Sequence, residues 1–256
     1  MSHHYIKTEN IEYSYYKGAK AIDGISFYIG HGEKVALVGS NGAGKSTLLL
    51  LLNALIFTEK GTIDIGNTFI SEKTAKLIRQ KVGFIFQNSD NQLFMPTVED
   101  EIAFGPINMG LPKEEVERRV NNALKIVDCE NLKGSITSHL SGGQKRSIAI
   151  ASVLAMEPEI LLMDEPSSNL DSYSRRLLID QIQSFSHTCI IATHDLEMVW
   201  ELCPRSIVMD NGKIVFDGSS KELFYNKELL KKCKLEQPYL AKIEELTNCK
   251  QRSSIN

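Results

Sequence analysis

The sequence predicts an α/β fold with a largely parallel sheet, and three observations indicate it. A glycine-rich loop, Gly39 to Thr47, lies between an apolar run and a leucine-rich segment. From residue 160 onward, apolar segments of strand length alternate with segments of helical spacing. One of these apolar runs ends in two adjacent acids, Asp164 and Glu165. Such alternation is typical of strands joined by crossover helices, and it places the two acids at the carboxyl edge of the sheet.

Hydrophobic spacing assigns the individual elements in chain order. Residues 5–30 alternate as an antiparallel hairpin does, with a turn near Lys17-Gly18. Further strands are predicted at 34–38, 61–66, 82–86, 160–163, 188–192, 206–209 and 213–216, and helices at 46–56, 74–80, 98–104, 113–127, 145–156, 172–185 and 196–202. Between residues 88 and 158 the apolar residues recur mainly at helical spacing, which predicts an inserted helical subdomain. After residue 218, helical segments lead to an amphipathic stretch, Leu240 to Leu246, which either packs on a partner or is loosely attached.

Composition limits the classes of function. With 256 residues, of which 42% are hydrophobic and 24% charged, the chain is long enough for one globular unit with a subdomain. A net charge of −3 argues against a nucleic-acid partner. No apolar run has the length of a membrane helix and the N-terminus lacks the apolar core of a signal peptide, so a cytosolic protein is expected. The five cysteines are widely spread and suggest neither zinc binding nor a disulfide framework.

The glycine-rich loop has the pattern G-x-x-x-x-G-K-S of a phosphate-binding loop. Its glycines let backbone N–H groups turn inward, Lys45 is expected to reach the outer phosphates, and the Ser46 hydroxyl is expected to hold Mg²⁺. The candidate nucleotide-binding residues are Gly39, Ser40, Asn41, Gly42, Ala43, Gly44, Lys45, Ser46 and Thr47. Because kinases, GTPases and ATPases share this loop, it predicts nucleotide binding and leaves the reaction open.

The two acids that end the apolar run Ile160 to Met163 are suited to different tasks. Asp164 is expected to orient Mg²⁺ through its water shell. Glu165 is expected to accept hydrogen bonds from an attacking water and polarise it.

A second helix start carries an anion-binding pattern. Ser141 can cap the helix that follows it, and Gly142 and Gly143 expose backbone N–H groups. Together with Leu140 and Gln144 these residues read LSGGQ. One chain therefore offers two phosphate-binding helix ends that lie far apart in the sequence.

With these motifs in this order, nearly the whole sequence resembles the ATP-binding cassette (ABC) family, whose signature is LSGGQ. The resemblance implies a P-loop NTPase (RecA-like) core with an antiparallel β subdomain and an inserted helical subdomain. It implies an ABC domain over residues 1–218, with the helical subdomain at about 88–158, and a C-terminal extension over 219–256. It also implies that each ATP lies between the loop of one subunit and the signature of a second, which is another copy or a related paralogue.

The resemblance assigns roles to further residues. Tyr15, which stands beside Tyr13 and Tyr16, matches the aromatic residue that stacks on adenine. Gln87 matches the glutamine that touches the metal and the water. Asp171 matches the acid of the loop at the dimer interface, and His194 matches the switch histidine that contacts the γ-phosphate.

Three positions depart from the common pattern of the family. Ser147 stands where an arginine often follows the signature, Ser167 replaces a frequent threonine, and Asn169 replaces a frequent glycine. None of them removes a group on which the chemistry depends, so the chain is expected to hydrolyse ATP to ADP and phosphate.

The stretch Phe86 to Phe94, FQNSDNQLF, indicates the subtype. It is similar to the FQNPDxQLF stretch of energy-coupling-factor (ECF) transporter ATPases, with Ser89 in place of proline, and is closest to the cobalt or nickel (CbiO-like) branch. This implies a peripheral subunit on the cytoplasmic face of the cell membrane, with an integral membrane coupling subunit and a substrate-binding membrane subunit as partners. Leu93, Phe94 and Met95 then form a groove for a coupling helix or part of the subdomain core. The alternatives are an ABC importer for a vitamin or other solute and a soluble ABC ATPase.

Overall fold

The structure is a computed structural model and describes residues 5–16, 18–168 and 170–253. Its strands are β1 Ile6–Tyr16, β2 Ala19–Ile29, β3 Lys34–Val38, β4 Lys60–Ile65, β5 Thr68–Phe69, β6 Val82–Ile85, β7 Ile160–Asp164, β8 Thr188–Ala192, β9 Arg205–Asp210 and β10 Lys213–Ser219. Its helices are α1 Lys45–Leu52, α2 Ala75–Lys81, α3 Val98–Asn108, α4 Lys113–Ile126, α5 Gly142–Leu154, α6 Ser172–Ser184, α7 Leu196–Leu202, α8 Ser220–Tyr225, α9 Lys227–Lys232 and α10 Tyr239–Ser253. Lys17, Asn169 and residues 254–256 of the tail lie outside the described residues.

The strands form two sheets. A four-stranded antiparallel sheet has the order β2-β1-β4-β5, and a six-stranded sheet has the order β10-β9-β3-β8-β7-β6. All neighbours in the second sheet are parallel except β10 and β9, which the turn at Asn211-Gly212 joins as a hairpin. The predicted α/β fold with its opening antiparallel hairpin is therefore confirmed.

The central strands β7 and β8 are buried along their whole length, because helices cover both faces of a parallel sheet. On one face α1 contacts β7 and β8, and on the other α5 contacts β6. The register aligns the carboxyl ends: Leu37 and Asp164 both lie opposite Ala192, and Ile85 lies opposite Met163. The loops after β3, β6, β7 and β8 consequently leave the sheet at the same edge.

Three helices, α3, α4 and α5, pack on one another within the predicted helical region. On α4, Val116, Val120, Ala123 and Leu124 are buried and recur at helical spacing. Residues 219–253 continue as α8, α9 and α10, and ion pairs of Lys221 with Glu244 (3.3 Å) and of Lys227 with Glu245 (2.9 Å) hold α10 against this segment. The division into residues 1–218 and 219–256 stays a prediction.

Some predicted bounds were wrong for local reasons. Helix α1 ends at Leu52 rather than at Ile56, because Ala54 has a left-handed φ of 55° and the Asn53 side chain donates to the carbonyl of Val82. Helix α5 begins at Gly142 rather than at Lys145, since Ser141 already caps it. Strand β5, with two residues, is too short for an alternating pattern to predict it. In the part of the chain that the structure describes, no helix has both the length and the apolar character to cross a membrane.

Candidate active site

An open pocket of about 430 Å³ lies at the carboxyl edge of the parallel sheet. This volume falls in the range of small-ligand sites. Residues from the phosphate loop, from the loops after β6, β7 and β8, and from the antiparallel sheet line it: Tyr15, Ala21, Asn41, Gly42, Gly44, Lys45, Ser46, Thr47, Gln87, Asp164, Glu165 and His194. Most of the candidate residues therefore meet in one place. Gly39, Ser40 and Ala43 belong to the same loop but do not line the pocket.

Two glycines of the phosphate loop are required by close packing and by backbone geometry. Gly44 has φ 105°, and a Cβ there would lie 2.5 Å from the carbonyl oxygen of Ala21. At Gly39, with φ 153°, a Cβ would lie 2.3 Å from the carbonyl oxygen of Met209. A side chain at either position would push the loop away from the sheet, so the loop fits against its neighbours only with glycine.

The Lys45 ammonium is buried at the floor of the pocket. Its Nζ donates to the carbonyl oxygens of Gly39 (2.8 Å) and Ser40 (3.2 Å). Burial lowers the pKa of Lys45, and the charges of Glu165 and Asp164 oppose that shift. The ammonium therefore lies near two carboxylates, those of Asp164 and Glu165. Its hydrogen-bond partners are carbonyl oxygens, which phosphate oxygens can replace.

One carboxylate oxygen of Asp164 has no hydrogen-bond partner in the described part of the chain. The side chain is buried, its Oδ1 has no hydrogen-bond partner, and the Ser46 hydroxyl donates to the carboxylate. Burial raises the pKa of Asp164, because a carboxylate that is poorly solvated is less stable in its charged form. A hydroxyl and an unpartnered carboxylate oxygen side by side fit the oxygen ligands that Mg²⁺ takes.

Glu165 and His194 face each other across the ends of β7 and β8. His194 Nδ1 lies 2.9 Å from Glu165 Oε2, and the Thr193 hydroxyl donates to the same oxygen at 3.3 Å. Glu165 has a left-handed φ of 44°, and its N–H donates to the carbonyl of Ala192. Since a non-glycine residue rarely adopts this φ, the backbone is held in a sparsely populated conformation that turns this buried carboxylate toward His194.

The three neighbouring tyrosines differ in position. Tyr15 lines the pocket, packs edge-to-face against Tyr13 at 5.0 Å, and its hydroxyl lies 3.3 Å from Thr47 Oγ1. Tyr13 packs against the hydrophobic core that the antiparallel sheet shares with α1 and the parallel sheet, and Tyr16 is 85% exposed. This placement supports Tyr15 as the base-stacking residue, and its role stays a prediction.

The signature segment lies apart from this pocket. Ser141 caps α5 in a full capping box with Gln144, in which the N–H groups of Ser141 and Gln144 are already bonded and those of Gly142 and Gly143 take no part. Among the described residues, none of Ser141, Gly142, Gly143 and Gln144 lines the pocket. Asp171 also lies outside it and caps α6, where hydrogen bonds from Ser174 lower its pKa. The two helix ends predicted to bind anions therefore do not line the same pocket within one chain.

Comparison with known proteins decides the family. The model of the ABC transporter family matches residues 22–168, more than half of the chain. The chain belongs to the ABC transporter family. The predicted family is thereby confirmed, and the chain is an ATP-hydrolysing ABC ATPase.

Individual relatives agree with this assignment. An ABC transporter ATP-binding protein of Geobacter sulfurreducens is 50% identical over 93% of this chain and 96% of the relative. The ECF transporter ATP-binding protein EcfA of Methanocaldococcus jannaschii is 42% identical over 96% of this chain and 90% of its own length. Among solved structures, cbiO1 of Clostridium perfringens, part of the ABC transporter complex cbiONQ, matches with a TM-score of 0.79 and 38% identity over 94% of this chain and 98% of that chain. The ABC ATPase is thus of the ECF type.

Sequence reasoning missed one residue that lines the pocket of the ABC ATPase and one that lies next to it. Ala21 reaches the pocket from β2, where no sequence motif marks it. Arg146 lies beneath the loop that carries Gln87, and its guanidinium donates to the carbonyl of Gln87. A signal for Arg146 existed, since it shares the buried stripe of α5 with Ile150 and Val153, at i, i+4 and i+7.

Proposed function

We propose that this chain powers an ECF importer for cobalt or nickel ions. The likeness to cbiO1 over nearly the full length of both chains carries the proposal. The stretch FQNSDNQLF supports the same subtype. The transported ion is recognised by other subunits, and this chain supplies the energy of ATP hydrolysis.

We assign the chemical roles from the geometry of the pocket. Lys45 exchanges its carbonyl partners for the outer phosphates of ATP, and the phosphate-loop N–H groups bind the same phosphates. Glu165 orients and polarises the attacking water, while His194, 2.9 Å from the Glu165 carboxylate, contacts the γ-phosphate. Tyr15 stacks on the base. The arrangement performs an in-line displacement by positioning and charge stabilisation.

Ser46, Asp164 and Gln87 are the residues that would hold Mg²⁺. When bound, the ion neutralises charge on the phosphates. The unpartnered Asp164 Oδ1 beside the Ser46 hydroxyl supports this assignment. Gln87 lines the same pocket from the loop after β6, the strand that pairs with β7.

We propose further that the ATP site is completed by a second ATPase subunit, either another copy of this chain or a related paralogue. The capped helix start at Ser141 to Gln144 does not line the pocket of its own chain, and a helix N-terminus is suited to bind phosphate groups supplied by a second subunit. Asp171 would lie at the junction of the two subunits. Binding of ATP by both surfaces favours the closed pair, and hydrolysis releases it.

A second groove, of about 470 Å³, supports a membrane partner on the cytoplasmic face. It contains Leu93, Phe94 and Met95, and its other lining residues are Asp90, Pro96, Ile136, Thr137, Ser138 and Lys145. Leu93 packs partly on the core, whereas Phe94 is 63% exposed and rests edge-to-face on Phe104 at 4.8 Å. Exposed aromatic rings beside a groove are typical of a surface that receives a partner helix.

Replacing Phe94 by Asp is expected to abolish co-purification of the integral membrane subunits from native membranes, because a charge would be placed in the apolar contact. ATPase activity of the isolated chain should remain within about twofold, since Phe94 does not line the ATP pocket. Phe69→Asp is the matched control, because Phe69 is equally exposed but lies on the antiparallel sheet. Equal recovery of membrane subunits with both variants would contradict the groove assignment.

The purified complex is reconstituted in vesicles with its ATPase subunits and ATP on the inside. These vesicles are expected to accumulate radioactive cobalt or nickel. Uptake should be lost with Glu165→Gln, because transport depends on turnover. Uptake of a vitamin with no uptake of either ion would overturn the metal assignment and leave the ECF assignment standing.

A further inference from the structure

Arg146 is a buried cation that the assigned chemistry does not use. It lies in the first turns of α5, two residues after the signature, and is 4% exposed. Burial lowers its pKa to about 10, so the guanidinium is still protonated at neutral pH. Burying a charge without full hydrogen bonding is costly, which makes this residue unusual for a helix interior.

The guanidinium contacts the start of the loop that carries Gln87. Its Nη1 donates to the carbonyl of Phe86 and to that of Gln87, the latter at 3.4 Å. Its Nε and Nη2 are buried and have no hydrogen-bond partner in the described chain. Only one edge of the guanidinium is therefore engaged, and it is engaged by the backbone that positions Gln87.

Arg146 does not bond to the carboxylate assigned to the metal. Among the described residues it forms no hydrogen bond or ion pair with Asp164, whose Oδ1 is unpartnered as well, and the two side chains interact only through their opposite charges. The contact that matters for Arg146 is therefore the one with the carbonyls of Phe86 and Gln87.

Helix geometry explains why Arg146, and not residue 147, provides this cation. Successive helical residues point about 100° apart, so a shift of one position changes the face. Ser147 hydrogen-bonds with the Cys129 thiol inside the helical region, away from the Gln87 loop. Arg146 and Ser147 therefore lie on different faces of α5, and it is Arg146 that reaches the loop that carries Gln87.

We propose that Arg146 is a positioning residue for ATP hydrolysis: it anchors the Phe86 and Gln87 carbonyls, so that α5 and the loop that carries Gln87 are held in one geometry. The inference rests on the proposed assignment of Gln87.

The test compares Arg146→Met, Arg146→Lys and Arg119→Met with the wild-type full chain. Arg119 is the matched control, because it is a partly buried arginine that also donates to backbone carbonyls, those of Ala155 and Met156, but on α4 and away from the pocket. We expect Arg146→Met to lower kcat about 10- to 100-fold and to raise the Mg²⁺ concentration for half-maximal activity, with the KM for ATP within about twofold. Arg146→Lys keeps the charge and should recover part of kcat.

Arg119→Met is expected to lower the melting temperature as Arg146→Met does, while kcat stays within about twofold of wild type. A kcat near wild type in Arg146→Met, or losses of kcat that follow melting temperature equally in both Met variants, would overturn the proposal. If Arg146→Met does not fold, Arg146→Gln replaces it in the comparison, and wild-type kcat and Mg²⁺ dependence in that neutral variant would refute the role. Asp164→Asn tests the metal assignment separately: unchanged Mg²⁺ dependence there would refute that assignment and not the anchoring of Gln87.

Discussion

Glu165→Gln is expected to reduce ATP turnover by about 100- to 10,000-fold while ATP binding is retained. The amide has the shape of the carboxylate, but it is neutral and too weak a base to polarise an attacking water. The pocket floor with Lys45 and Asp164 is unchanged by the substitution, so affinity for ATP should stay within a few fold. Release of phosphate under single-turnover conditions and nucleotide binding by fluorescence titration measure the two effects independently.

Glu101→Gln is the matched control for this substitution. Glu101 is also a buried glutamate, and its carboxylate accepts hydrogen bonds from the backbone N–H groups of Phe94 and Met95 at 2.8 Å. Neutralising it should cost stability and leave kcat nearly unchanged. Turnover by Glu165→Gln comparable with that of Glu101→Gln would remove Glu165 from the chemistry.

Lys45→Ala is expected to weaken ATP binding about 10- to 100-fold. A hydrogen bond to a charged group contributes about 1.5–3 kcal/mol, which corresponds to that change in affinity. The effect has a second source, because the ammonium also balances the charges of Glu165 and Asp164, which would then face the phosphates uncompensated. Fluorescence titration with an ATP analogue in the presence of Mg²⁺ measures the dissociation constant.

Lys34→Ala serves as the control for Lys45→Ala. Lys34 begins β3, the strand that leads to the phosphate loop, and its ammonium also donates to a carbonyl, that of Gln183. It lies at the opposite end of the strand, so its loss should leave ATP affinity unchanged. Wild-type affinity in Lys45→Ala would refute the assigned role.

Much of the fold followed from local patterns, because buried parallel strands are continuous apolar runs. Strands β3 and β8 and helix α7 have the predicted bounds. Errors arose where a tertiary contact ended an element, as the Asn53 hydrogen bond to Val82 does after α1. Propensity carries no information about such a partner, since it lies far away in the sequence.

The candidate site was likewise predicted only in part. Motif residues such as Lys45 and Asp164 were predicted because their chemistry depends on local spacing, and the structure places them in one pocket. The 2.9 Å approach of His194 to Glu165 and the contact of Arg146 with the Gln87 loop depend on the register of separate elements. They follow from sheet order and helix rotation, which a linear pattern does not contain.

The most direct test of the proposed two-subunit site is native mass spectrometry of the Glu165→Gln chain with Mg²⁺ and ATP. We predict a complex of two chains with two ATP molecules, formed only with nucleotide. Adding Ser141→Arg should abolish that complex while each single chain still binds ATP, because Ser141 lies outside the pocket of its own chain. A two-chain complex that persists with Ser141→Arg, or loss of ATP binding by the single chain, would contradict the proposal.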